Sequence, residues 1–125
     1  MKKEESVNVL GEPLEMCGDM PMTGYYRDSY CNTCTEDLGS HTVCAQITQL
    51  FLDFSKAKGN DLSTPMPQYG FEGLKEGDAW CLCAGRWLEA YESGAAPLVY
   101  VQRTHQRAMD IIPLETLNKF AVDLN

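Results

Sequence analysis

Ser40-His41-Thr42-Val43-Cys44-Ala45-Gln46-Ile47-Thr48-Gln49-Leu50-Phe51-Leu52-Asp53-Phe54-Ser55-Lys56-Ala57-Lys58-Gly59 is the longest stretch with a regular apolar pattern. Val43, Ile47, Leu50, Phe51 and Phe54 recur at three- and four-residue steps, which predicts one helix over residues 41–58 burying a single face. Ser40 is placed to cap the first turn through its hydroxyl. Lys56 and Lys58 complement the last turn, and Gly59 supplies the left-handed residue that ends a helix.

Outward from this segment the pattern loosens. On the N-terminal side, residues 1–7 are charged and are expected to be flexible. Residues 8–40 carry turn formers throughout, among them Gly11, Pro13, Gly18, Pro21, Gly24 and Gly39, with short extended pieces at 7–10 and 24–27. On the C-terminal side, residues 59–78 form a long connection punctuated by Pro65, Pro67, Gly70, Gly73 and Gly77. Tyr69, Phe71 and Leu74 are anchors that a disordered linker would lack, so this loop is read as ordered and packed. A buried strand is predicted over 79–84, with Trp80, Leu82 and Ala84 on one face and Cys81 and Cys83 on the other. A short helix follows over 86–93, then a strand over 98–102 rich in β-branched and aromatic residues. Thr104 is placed to cap a turn running through Met109, and Pro113 opens a last helix carrying Leu114, Leu117, Phe120 and Ala121. The reading is a single α+β domain over residues 8–125, with one long helix and shorter ones packed on a small sheet and extensive ordered loops.

With 125 residues, one domain is the natural size. Hydrophobic residues at 44% and charged residues at 22% match a globular chain. Acidic side chains number 18 against 10 basic, a net charge of -8, which argues against nucleic acid and against an anionic membrane surface as partners. No apolar run approaches the roughly 18 residues of a membrane span. No apolar segment of a secretory signal follows the N-terminus, so a cytoplasmic location with reduced thiols is expected.

The six cysteines carry most of the chemistry that residues alone suggest. Cys31 and Cys34 have the two-residue spacing that lets two thiolates share one tetrahedral ion, and Cys81 and Cys83 form a second pair on one strand face. Together the four predict a structural zinc site. The plainer alternative makes Cys81 and Cys83 small buried hydrophobes. A redox role for Cys31 and Cys34 is disfavoured by Asp28, Glu36 and Asp37 around them, since negative neighbours suppress thiolate. His41 and Cys44, three residues apart in the predicted first helical turn, point to a nucleophilic cysteine with an imidazole partner. Against that, Cys44 sits among Val43 and Ile47 and can simply be core. Asn60, Asp61, Ser63 and Thr64 are polar groups leading into the glycine-rich loop, and with Arg27 they are candidate ligand-binding residues. The same side chains commonly satisfy turn backbones, and arginines commonly form surface ion pairs. His105, after Thr104, is read as solvent-facing.

Five blocks together resemble one family: Asn8-Val9-Leu10-Gly11, Thr23-Gly24-Tyr25-Tyr26-Arg27-Asp28, His41-Thr42-Val43-Cys44-Ala45, Gly59-Asn60-Asp61-Leu62-Ser63-Thr64-Pro65 and Gly77-Asp78-Ala79-Trp80-Cys81-Leu82-Cys83-Ala84. They resemble an uncharacterised bacterial domain-of-unknown-function family (DUF2237-like), over residues 8–121. The resemblance implies a one-domain bacterial protein and supplies no reaction or cofactor. It also implies cysteines at positions 31, 44, 81 and 83 but glycine where Cys34 stands, which weighs against the four-thiolate zinc site. Three functional expectations follow: a small-ligand-binding or accessory domain whose pocket lies between the helix start, the 59–78 loop and the cysteine strand; a structural zinc protein; or an enzyme using Cys44 and His41. Residues alone do not decide whether the chain is an enzyme.

Overall fold

The structure, a computed structural model, describes residues 3–124. Its centre is a three-stranded antiparallel sheet of order β2-β1-β3, built from β1 (His41–Gln46), β2 (Ala79–Cys83) and β3 (Leu98–Val99). Three helices complete the α+β domain: α1 (Gln49–Ala57), α2 (Ala84–Glu92) and α3 (Leu114–Lys119). Short 3-10 turns lie at Pro67–Tyr69, Val101–Arg103 and Gln106–Asp110. Among the described residues, no helix is long and apolar enough to cross a membrane.

The segment predicted as one helix over 41–58 is a strand followed by a helix. β1 is the central strand, and Thr42, Val43, Cys44 and Ala45 are all buried. A strand covered on both faces loses its polar alternation, so spacing alone cannot separate it from the first turns of a buried helix. Accordingly Ser40 caps nothing. The cap is Thr48, whose side chain accepts the Phe51 amide at 3.2 Å. Helix α1 buries Phe51, Leu52 and Ser55 and leaves Leu50 exposed. Gly59 does take a positive φ of 86°, just beyond the helix end.

Two other expectations are shortened or shifted. The strand expected over 98–102 stops after Val99, because Val101 and Gln102 turn to give their amides to the Asp123 carboxylate at 2.8 and 2.9 Å. The turn expected to start on Thr104 is capped by His105, whose ring accepts the Arg107 amide at 3.0 Å. His105 is fully buried rather than solvent-facing. Residues 3–7, expected to be flexible, are held by Glu4 to Thr33 and Arg107, Glu5 to His105 and Ser6 to Asn32. Met1 and Lys2 lie outside the described residues.

The two sheet faces differ in chemistry. Val43, Ala45, Trp80 and Leu82 join the main core with Phe51, Leu52, Trp87 and Leu117. Trp87 is completely buried, stacks on Tyr91 at 5.6 Å and meets the edge of Phe120 at 5.2 Å. Burying a side chain of this kind contributes roughly 1.5–3 kcal/mol. The other face is a sulfur cluster of Cys17, Cys31, Cys44 and Cys81. There, disulfides Cys17–Cys44 and Cys31–Cys81 staple the irregular N-terminal segment onto the sheet. That segment also protects the β2 edge, where Thr23 accepts the Cys81 amide at 2.8 Å.

Candidate functional site

A cavity of about 290 Å³ opens at the end of the β1–β2 pair, lined among others by Tyr25, Arg27, His41, Asn60, Trp80 and Cys83. Its position follows from one irregularity. The β1–β2 register pairs Val43 with Leu82 but His41 with Cys83, so Thr42 is an extra residue in a β-bulge. Without it, Thr42 would face Cys83. Bulges re-aim side chains in this way beside functional sites. Ser40, just before the bulge, has a positive φ of 48°.

The bulge sets His41 between a carboxylate and a thiol. Its Nδ1 lies 2.6 Å from Asp37 Oδ1, and its backbone amide donates to the other Asp37 oxygen at 2.9 Å. The Asp37 side chain is fully buried and also accepts from the Thr33 hydroxyl at 3.0 Å, which fixes it behind the ring. The Cys83 sulfur lies beside the same imidazole, and both line the cavity. Protonated His41 is favoured up to a pKa of about 9: Cys83 raises it most, burial opposes, and Asp37 raises it further. Gly39 closes the arrangement, because a Cβ there would meet the His41 ring at 3.0 Å and the Cys83 sulfur at 3.3 Å.

Cys83 is one of two free cysteines, is partly exposed, and is the residue immediately before α2. The positive end of a helix dipole and the first-turn amides therefore begin beside it. Of these, the Ala84 amide donates to the Ser40 carbonyl at 2.9 Å. Opposite, the loop carrying Tyr25 and Arg27 is held by Gly24. That glycine has φ 102°, and a Cβ there would lie 2.5 Å from the Tyr30 carbonyl oxygen, so no other residue fits.

The residues singled out in the sequence are distributed differently from expectation. Cys44 is completely buried and bonded to Cys17, so it offers no thiol to His41, and the two do not share a helical turn. Cys31 and Cys81 are bonded to each other. Cys34 is buried and free. The four sulfurs expected to hold zinc therefore do not converge. Among the described residues, the only close group of three metal-ligating side chains is Cys17, Cys31 and Cys81, within 4.8 Å, and all three are disulfide-bonded. Four of the six cysteines are thus not the reduced thiols expected.

Arg27 and Asn60 do line the cavity. Asp61, Ser63 and Thr64 instead close a turn on themselves. The Asp61 carboxylate accepts the Ser63 amide and hydroxyl, each at 2.9 Å, and the Thr64 hydroxyl at 2.5 Å. Those donors, Thr64 foremost, hold the Asp61 carboxyl well below the usual carboxylate range. Asp37 was visible in the sequence only as a negative neighbour of Cys34. The available signal was its four-residue spacing from His41, but the link to Cys83 depends on a bulged register that no residue pattern announces.

A small α+β domain with a thiol, an imidazole and a buried carboxylate around one cavity is the class that fold and site define. The chain belongs to the family described as uncharacterized protein conserved in bacteria (DUF2237), whose model matches residues 7–121. No curated protein matches the chain.

Proposed function

We propose that the protein is a small thiol-dependent enzyme that transfers or hydrolyses an acyl group on a small molecule, with Cys83 as nucleophile. The observation that carries this reading is the cross-strand pair His41–Cys83 backed by buried Asp37 at 2.6 Å from the ring. Thiolate, not thiol, is the attacking species, and a neighbouring imidazolium at a helix start is the setting that activates cysteines.

The Cys83 sulfur attacks the acyl carbon and forms a thioester. The leaving group departs with a proton from His41. Neutral His41 then takes a proton from water, whose oxygen attacks the thioester carbon. The acid is released and the sulfur regenerated, so the net reaction consumes one water. Asp37 keeps the ring oriented and stabilises its charged form.

Binding without reaction, the simpler use of the same cavity, is separated from catalysis by thiol reactivity. Iodoacetamide labelling at pH 7, followed by peptide mass mapping, is expected to modify Cys83 at least ~10-fold faster than a free cysteine. Cys83→Ser should abolish that labelling, and His41→Gln should slow it about 10-fold. Labelling of Cys83 no faster than free cysteine would return the domain to a binding role.

A further inference from the structure

The lining of the thiol cavity differs in charge from the chain as a whole. Acidic residues outnumber basic ones 18 to 10, yet no carboxylate lines this cavity, whose cationic groups are Arg27 and His41. The neighbouring hollow that shares Arg27 is lined by Asp19, Glu72 and Asp78 as well as Lys75. Asp37 stands behind the His41 ring at 2.6 Å and pairs with it, so of the two cationic groups it is Arg27 that has no carboxylate partner among the described residues.

Arg27 itself is held ready rather than consumed. Among the described residues no carboxylate lies within ion-pair distance of it, whereas Arg86 pairs with Glu89 and Arg107 with Glu4 and Asp110. Its guanidinium rests over the Trp80 ring, 5.3 Å from the centroid, which leaves its in-plane N–H donors free. Its backbone has a positive φ of 56°, a conformation uncommon outside glycine.

Resting on the thiol reading above, we propose that the cavity takes a small substrate bearing a carboxylate. Arg27 grips that group by its planar fork while the electrophilic carbon meets the Cys83 sulfur. The planar guanidinium fork of Arg27 matches the two oxygens of a carboxylate, with Asn60 lining the same cavity. The volume of about 290 Å³ sits at the small end of small-molecule sites.

Two probes test this separately from the thiol chemistry. Iodoacetate and iodoacetamide react alike, with a sulfur–carbon bond forming as iodide leaves, and differ in the carboxylate. The iodoacetate-to-iodoacetamide rate ratio at Cys83 should exceed that of free cysteine. Arg27→Gln should lower it roughly tenfold, the loss of one charge-assisted contact, with the iodoacetamide rate little changed and Arg27→Lys intermediate. An unchanged ratio in Arg27→Gln overturns the assignment.

The second probe is malonate, followed by isothermal titration calorimetry in Cys83→Ser, where no thiol reaction can contribute. A saturable change that is lost on Arg27→Gln is expected even if Cys83 proves unreactive. No response to malonate, or tighter binding of inorganic phosphate than of malonate, removes the carboxylate from the proposal. Slow iodoacetamide labelling with an intact malonate response would instead sink only the catalytic reading.

Discussion

At His105 the fold excludes a proton, and at His41 it holds one. These are the chain's two histidines. His105 is completely buried, with Nδ1 accepting the Arg107 amide, so Nε2 carries the hydrogen that reaches the Glu5 carbonyl at 2.8 Å. Burial therefore lowers its pKa from 6.5, and the stability it supports is present above pH 6.5 and lost as pH falls. His41 is the opposite case. With a folded pKa near 9, its contribution is complete below pH 6.5 and disappears as pH rises toward 9. Thermal unfolding from pH 5 to 9.5 should show both losses. His41→Gln should remove the alkaline one and His105→Gln the acidic one, against the background of the other titrating groups.

The element that most needed its tertiary partners is β1. Its six residues are followed by Ile47 and the Thr48 cap, so strand and helix sit almost end to end. Their combined apolar spacing mimics one longer helix. What separates them is pairing: β1 has a neighbour on both edges, whereas α1 closes its own hydrogen bonds. Thr48→Ala should cost roughly 1 kcal/mol in denaturant unfolding, as loss of a helix cap does. Ser40→Ala should cost far less than that. No measurable loss in Thr48→Ala would mean that this cap does not hold the helix start. By contrast α2, α3 and the β2 strand were legible: Gly94 stops α2, Pro113 opens α3, and β2 is a short apolar run between Gly77 and Gly85.

For the whole molecule the decisive links are the two disulfides. They tie Cys17 and Cys31, in a segment almost without regular structure, to the two longest strands across separations of 27 and 50 residues. Closing loops of that size restricts the unfolded chain by roughly 3–4 kcal/mol each, and the two loops overlap, so the effects do not simply add. Reduction with dithiothreitol should lower the unfolding midpoint markedly. Cys17→Ala/Cys44→Ala should reproduce part of that drop while leaving Cys83 labelling in place. A midpoint indifferent to reduction would mean that the loop is held by its hydrogen bonds alone, such as Thr23 to the Cys81 amide. Elemental analysis of the oxidised protein should likewise find no stoichiometric zinc on Cys31, Cys34, Cys81 and Cys83, since two of these are bonded to each other.

Local properties were determined by the chain itself: the α+β class, the 59–78 loop packed through Phe71 and Leu74 although Tyr69, expected as a third anchor, is 78% exposed, the helix-stopping glycines and the core aromatics Trp80 and Trp87. Each depends on the conformational range or apolar area of residues close in sequence. His41, Cys83 and Arg27 were likewise recognisable as reactive side chains, although as members of separate schemes. Which of them meet was decided by the tertiary structure. A one-residue bulge in β1 sets His41 opposite Cys83, and pairing of Cys44 with Cys17 withdraws the other thiol that His41 might have served. Register and disulfide partnership join residues 27 to 50 positions apart, and such contacts follow from global packing, to which no local pattern of residues is sensitive.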